Sequence, residues 1–201
     1  MNLLKKGFYF LLAATVLVAC SDDDDAPVGP IDPGNGGGGH PLAGTSWSIA
    51  SEAGSLAVGP AADNLTWWSL SEADVTTRAC LLDDTYVFNA DGTFTQDMQG
   101  STWLEGWQAG APAEGCGTPI APHNGSNAAT WSADSSTVTV VGDGAFLGLA
   151  KVHAAGQDGD PADDTITYNY ALDGDRLTIT ISGWDAPANP DAVWQYILTK
   201  N

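Results

Sequence analysis

Basic residues are scarce in this 201-residue chain: six Lys and Arg stand against 25 Asp and Glu, a formal charge of −19 at pH 7. A groove that grips nucleic acid or an anionic polysaccharide needs clustered cations. Arg78, Lys151, Arg176 and Lys200 are scattered, so the composition argues against both partner classes. Glutamate is rarer still, confined to Glu52, Glu72, Glu105 and Glu114. The remaining acids are aspartates, which favour turns over helix interiors, and few stretches look helical. The three histidines, His40, His123 and His153, lack close metal-ligand spacing and have no Gly-x-Ser-x-Gly elbow beside them, so each reads as a surface or loop-bonding histidine. The apolar run Phe8–Val18 is too short to span a bilayer.

What stands at the N-terminus follows a recognisable layout. Lys5 and Lys6 precede the apolar run, and the small residue Ala19 precedes Cys20. This is the layout of a secretory signal. Leu17-Val18-Ala19-Cys20 resembles a bacterial lipobox, and the resemblance implies cleavage before Cys20 and acylation of that residue. Three acyl chains would hold the protein to a membrane, since each buried CH₂ contributes about 0.8 kcal/mol. A plain signal peptide that contains a cysteine is the simpler alternative. Removal of Lys5 and Lys6 with the signal leaves four basic residues against 25 acidic ones, or −21.

The expected organisation is therefore a signal at 1–19, a tether at 20–40 and one domain at 41–201. Ser21 and Asp22 to Asp25, followed by Pro27, Pro30, Pro33 and Gly36 to Gly39, cannot form a core. Acidic residues directly after a lipidated cysteine are similar to those of surface lipoproteins in Bacteroidota-type glycan-uptake systems. That resemblance implies a lipid anchor in the outer membrane, display on the extracellular side, and outer-membrane glycan-uptake proteins as partners. A solvated charge run on a periplasm-facing protein is the alternative.

The domain reads as all-β. Thr45, Trp47 and Ile49 share one strand face, and Thr85 to Thr95 forms a hairpin in which Asp91-Gly92 supplies positive φ angles. Strands are expected at Thr130–Ala133, Thr137–Val141, Ala145–Val152, Thr165–Leu172, Arg176–Ser182 and Ala192–Thr199. Ile166, Tyr168, Tyr170 and Leu172 face the same way as Leu177, Ile179 and Ile181 across a tight turn at Asp173-Gly174. Such an antiparallel meander either closes into an up-and-down barrel of about eight strands or packs as a two-sheet sandwich. Two irregular stretches interrupt it: Glu52–Leu82, with a helical turn near Ser71 to Asp74, and Met98–Asn127.

The order Gly-Thr-x-Trp, long loop, Phe-x-x-Asp-Gly-x-Phe and closing Leu-x-Lys resembles small lipocalin-like domains of secreted bacterial lipoproteins. More specifically, Thr76-Thr77-Arg78-Ala79-Cys80, Tyr86 to Gly92, Thr102 to Gln108 and Ala121 to Ser126 are similar to an accessory domain appended to family 16 glycoside hydrolases of marine Bacteroidota. The resemblance covers most of residues 44–200 and implies a lipocalin-like barrel without catalytic activity of its own. The Glu-x-Asp-x-x-Glu signature of the catalytic domain is absent, since Thr77 follows Glu72-Ala73-Asp74 where the second glutamate is needed.

Eight tryptophans carry most of the functional information. Trp47, Trp131 and Trp194 fall in strands and read as core. Trp67, Trp68, Trp103, Trp107 and Trp184 fall in loops, where an indole face can stack on a pyranose while Glu105, Gln108 and His123 supply polar contacts. They make a neutral glycan, a β-glucan by analogy with the family 16 enzymes, the expected ligand. The same rings buried against one another at the barrel mouth are the competing expectation. Cys80 and Cys116 read as a disulfide, with half of a zinc site the weaker alternative. Glu105 and Glu114, or Asp83-Asp84, are acid pairs to weigh for glycoside hydrolysis, but spacing does not establish their separation and no catalytic residue is assigned. No cofactor is expected. Asp158, Asp160, Asp163 and Asp164 are a Ca²⁺ candidate that lacks EF-hand spacing. Two further functions stay open: a carrier of a small apolar ligand inside the barrel, and a structural domain that docks a partner.

Overall fold

The computed structural model describes residues 39–108, 110–111, 113–153, 164–183 and 191–201. Cys20 with the signal and nearly all of the tether, Trp184, and Asp158, Asp160 and Asp163 lie outside the described residues. The described strands are β1 (Thr45–Ile49), β2 (Leu56–Gly59), β3 (Trp68–Ser69), β4 (Thr85–Phe88), β5 (Thr93–Asp97), β6 (Thr102–Leu104), β7 (Gly115–Gly117), β8 (Ala129–Ala133), β9 (Thr137–Val141), β10 (Thr165–Asp173), β11 (Arg176–Ser182) and β12 (Val193–Lys200). Two short helices, α1 (Glu72–Thr77) and α2 (Ala79–Leu82), lie between β3 and β4.

Eight strands close an antiparallel barrel in the order β1-β4-β5-β8-β9-β10-β11-β12, with β12 pairing back to β1 through Trp47–Lys200, Ser48–Thr199 and Ile49–Leu198. Closure excludes the two-sheet sandwich. It also removes the open edges that a meander otherwise presents. The β10–β11 hairpin shows the expected alternation, with Tyr170 opposite Ile179 and Leu172 opposite Leu177 on the inner face. Gly174 supplies the positive φ (58°) that its two-residue turn requires at that position. At the β4–β5 turn only Gly92 of the expected pair takes a positive φ (86°). The loop there is longer than two residues, because Asn89 N–H bonds Thr93 O and Gly92 N–H bonds Asn89 O. One left-handed glycine is enough for such a loop.

β1 and β2 lie end to end along one edge of β12, since residues 193–196 of β12 pair with β2 and 198–200 with β1. The chain leaves and rejoins that edge through Ala50 N–H to Ile197 O and Ile197 N–H to Ser55 O. The β2–β3 pair and the β6–β7 hairpin add order to the two stretches whose sequence pattern is irregular. Among the described residues β6 and β7 pair only with each other, so this hairpin is a separate ribbon from the barrel sheet.

The tight turns of β4–β5, β8–β9 and β10–β11 gather at one end, which the chain at 40–43 seals. His40 is buried there. Its Nδ1 accepts from Leu42 N–H, which places the ring hydrogen on Nε2, 3.1 Å from both Asp134 O and the Tyr170 hydroxyl. The folded unit thus reaches back to His40. The long connections, 98–128 and 142–153 among them, leave from the opposite end.

The segment Ala145–Val152, expected as a strand, is instead a filling for the barrel interior. Phe146, Leu147 and Leu149 are at most 4% exposed, and the chain turns into a 3-10 helix at Ala150–His153. Tyr86 donates to Gly148 O at 3.1 Å, Leu147 N–H donates to the Tyr168 hydroxyl at 2.9 Å, and Phe146 N–H donates to Gln96 Oε1 at 3.3 Å. These bonds satisfy a backbone that no neighbouring strand pairs. Gly148 is obligatory, since φ is +89° and a Cβ would lie 2.2 Å from the Tyr196 ring. Tyr86, Tyr168 and Tyr196 are fully buried, and desolvation pushes their phenols above the ordinary value. Trp47, Trp131 and Trp194 join this core as expected.

Candidate functional site at the open end of the barrel

Three connections converge at the end opposite the tight turns. The first carries α1, which starts at a capping box: Ser71 Oγ accepts from Asp74 N–H at 3.2 Å, and Ser71 N–H donates to Asp74 Oδ2 at 3.0 Å. The Ser71 hydroxyl, which donates to Asp74 Oδ2 at 2.6 Å, and then the Ser71 N–H hold the Asp74 carboxyl below its ordinary value. α1 ends at Arg78, whose N–H bonds Asp74 O at 2.7 Å, and α2 continues from it with Cys80, Leu81 and Leu82 buried. The helical break therefore fixes where the Arg78 side chain begins.

Arg78 lies between two of the expected ligand-binding tryptophans. Its guanidinium carbon is 3.7 Å from the Trp103 ring centroid and 5.2 Å from that of Trp68, and Glu114 Oε1 is 3.6 Å from its Nη2. A weakly hydrated planar cation stacks well on indole faces. The Cys80–Cys116 disulfide, as expected, joins α2 to β7. It ties the first irregular stretch to the β6–β7 hairpin within two residues of that stack.

A second cluster lies on the turn after β6. Glu105 N–H donates to Gln108 Oε1 at 2.8 Å, and Gln108 N–H donates to Glu105 O at 3.0 Å. Glu105 is buried, with Lys151 Nζ 3.5 Å from its Oε2, and burial raises its carboxyl above the ordinary range against the opposing pull of Lys151. Lys151 Nζ also lies 5.0 Å from the Trp194 ring centroid. Trp68 meets Trp194 edge-on at 6.2 Å, while Trp107 meets His123 at 5.4 Å and His123 meets Phe146 at 6.0 Å. His123 is thus a buried ring of the mouth, not a surface histidine, because the 98–128 connection folds inward over the interior segment.

No protein-family model and no curated protein matches the chain. The geometry of the site is therefore the ground for any functional reading.

Four of the five loop tryptophans fall on described residues, and they differ. Trp67 is 48% exposed, whereas Trp68, Trp103 and Trp107 are half-buried against the core. Trp67 immediately precedes β3 and Trp68 opens it. The four rings are unequally exposed, with Trp67 standing furthest into solvent. A second buried carboxylate, Asp84, roots the hairpin by accepting from Thr102 Oγ1 at 2.5 Å. Burial, aided by the nearby Asp83 and Asp97 charges, pushes Asp84 up to about 8.

Asp164 is exposed, and among the described residues no group of three or more His, Cys, Asp or Glu is arranged to hold a metal ion. Sequence reasoning missed Arg78 and Lys151 at this end. The available signal was their scarcity: two of the few cations in an acidic domain sit in, or next to, segments that carry tryptophans or buried apolar residues.

Proposed function

We propose that this domain is a non-catalytic glycan-binding module, held to the outer surface of the outer membrane by lipid on Cys20. Its ligand is a neutral glycan, a β-glucan in the first instance, and its partners are glycan-uptake proteins of that membrane. The observation that carries the reading is the gathering of indoles from separate connections at the open end, with Trp67 standing 48% exposed outside the half-buried Trp68, Trp103 and Trp107. Indole faces stack on the apolar faces of pyranose rings, and a rim fixed by a disulfide and a stacked guanidinium loses little conformational freedom on binding.

The charge balance favours an uncharged ligand. Arg78 and Lys151 are each paired with a glutamate, so the rim offers no excess positive charge. A carrier function would need the barrel interior that Ala145–Ala150 occupies, and is not adopted. Affinity electrophoresis against neutral polysaccharides tests the reading. The wild type is expected to be retarded by a β-glucan, and Trp67→Ala and Trp103→Ala to run with reduced retardation. Unchanged mobility of the wild type across the whole panel would refute it.

A further inference from the structure

The β6–β7 hairpin and its turn carry buried polar atoms that have no hydrogen-bond partner among the described residues. Glu105 is 4% exposed and its Oε1 has no hydrogen bond. The indole N–H groups of Trp103 and Trp107, two residues to either side, are also buried and unbonded. Leaving such groups desolvated and unpaired is costly, and each one marks a place for a missing partner. The reciprocal bonds between Glu105 and Gln108 fix the backbone here, so the direction of Glu105 is set by the turn.

The contact between Glu105 and Lys151 is also incomplete. At 3.5 Å it exceeds the roughly 2.7–2.9 Å of a close ammonium–carboxylate bond. The Lys151 side chain is 14% exposed against 5% for Glu105, so the pair is nearer to solvent on the lysine side.

We infer that Glu105, Lys151 and the indole N–H groups of Trp103 and Trp107 form a subsite that reads the vicinal hydroxyls of a neutral pyranose. This rests on the glycan reading and adds the residues that set its selectivity. A hydroxyl both donates and accepts. It donates to the Glu105 carboxylate while accepting from Lys151 Nζ or an indole N–H, which a deoxy sugar does not do. A uronate carboxylate has no proton for Glu105 and brings like charge against it. The subsite therefore favours fully hydroxylated neutral sugars over uronates.

An ordered water has the same donor and acceptor character, and the test separates the two. Calorimetry would compare the full chain with its Glu105→Gln and Lys151→Met variants, each checked for folding by thermal unfolding. The probes are oligosaccharides of β-1,3-glucan, mixed-linkage β-glucan and β-mannan, with an oligouronate as the contrast. The wild type is expected to bind a neutral probe in preference to the oligouronate, and each variant to lose about tenfold or more in affinity. If Glu105→Gln does not fold, Lys151→Met decides alone. Neutral-probe binding that is intact in the folded variants overturns the subsite, assigns its polar atoms to ordered water, and leaves the tryptophan rim standing. Absence of wild-type binding to every probe overturns both readings.

Discussion

Replacing Asp84 by Asn should flatten the dependence of stability on pH. Asp84 is 1% exposed, accepts one hydrogen bond from Thr102 Oγ1, and has no hydrogen-bond partner for its other oxygen among the described residues. Desolvation is the leading cause of its rise from 3.8 to about 8, opposed by the Thr102 bond and reinforced by Asp83 and Asp97. A carboxyl that holds its proton more tightly when folded contributes stability that is complete below about pH 4. That contribution is lost as pH rises through about 8. One such group changes the unfolding free energy by ~1.4 kcal/mol per pH unit inside this window, or on the order of 5 kcal/mol across it. The side-chain amide of the Asp84→Asn variant keeps an acceptor for Thr102 and does not titrate. The assay is urea unfolding of both proteins at intervals from pH 4.5 to pH 9. Glu105, also raised by burial, adds a slope common to both, so the informative quantity is the difference between the two proteins. The variant is expected to gain on the wild type steadily as pH rises, by several kcal/mol at pH 8. Parallel curves would show that Asp84 ionises normally in the fold and would refute the reasoning.

Other perturbations have equally definite outcomes. Replacing Cys80 and Cys116 by Ala opens a loop with a sequence separation of 36, and denaturant unfolding should show a loss of about 3–4 kcal/mol. Gly148→Ala places a methyl group against Tyr196 at a positive φ and should cost roughly 2 kcal/mol or more, seen as a lower melting temperature. Arg78→Ala removes the stack on Trp103 together with the Glu114 pair and should cost about 1–2 kcal/mol, with a changed near-ultraviolet tryptophan signal. Trp67→Ala, by contrast, should leave the melting temperature within a degree or so while weakening glycan binding, because surface changes are generally worth less than about 0.5 kcal/mol.

The barrel was legible where local pattern and tertiary role coincide. In β10 and β11 the period-two alternation sets the face, the Gly174 turn sets the register, and the pairing follows. The interior segment defeated the same logic. Ala145-Phe146-Leu147-Gly148-Leu149-Ala150 is apolar because it lies inside the core on all sides, and an apolar run of that length reads as a strand until its position is known. Only the glycines at 144 and 148, both at positive φ, argue against an extended segment. β2, β3, β6 and β7 escaped because strands of two to four residues carry too little alternation to register. The site was legible in its aromatic content and in the Cys80–Cys116 tie, which brings the two tryptophan-bearing stretches together. The Arg78 stack and the Glu105–Lys151 contact are products of tertiary closure across distant segments, which no local spacing encodes.

The most direct test of the glycan-binding account is a crystal structure of the protein soaked with a β-glucan oligosaccharide. The account predicts a pyranose ring stacked on Trp67 or Trp103 at the open end, with hydroxyls directed toward Glu105. Sugar density confined to the outer faces of the barrel strands or to the sealed end at His40 would contradict it.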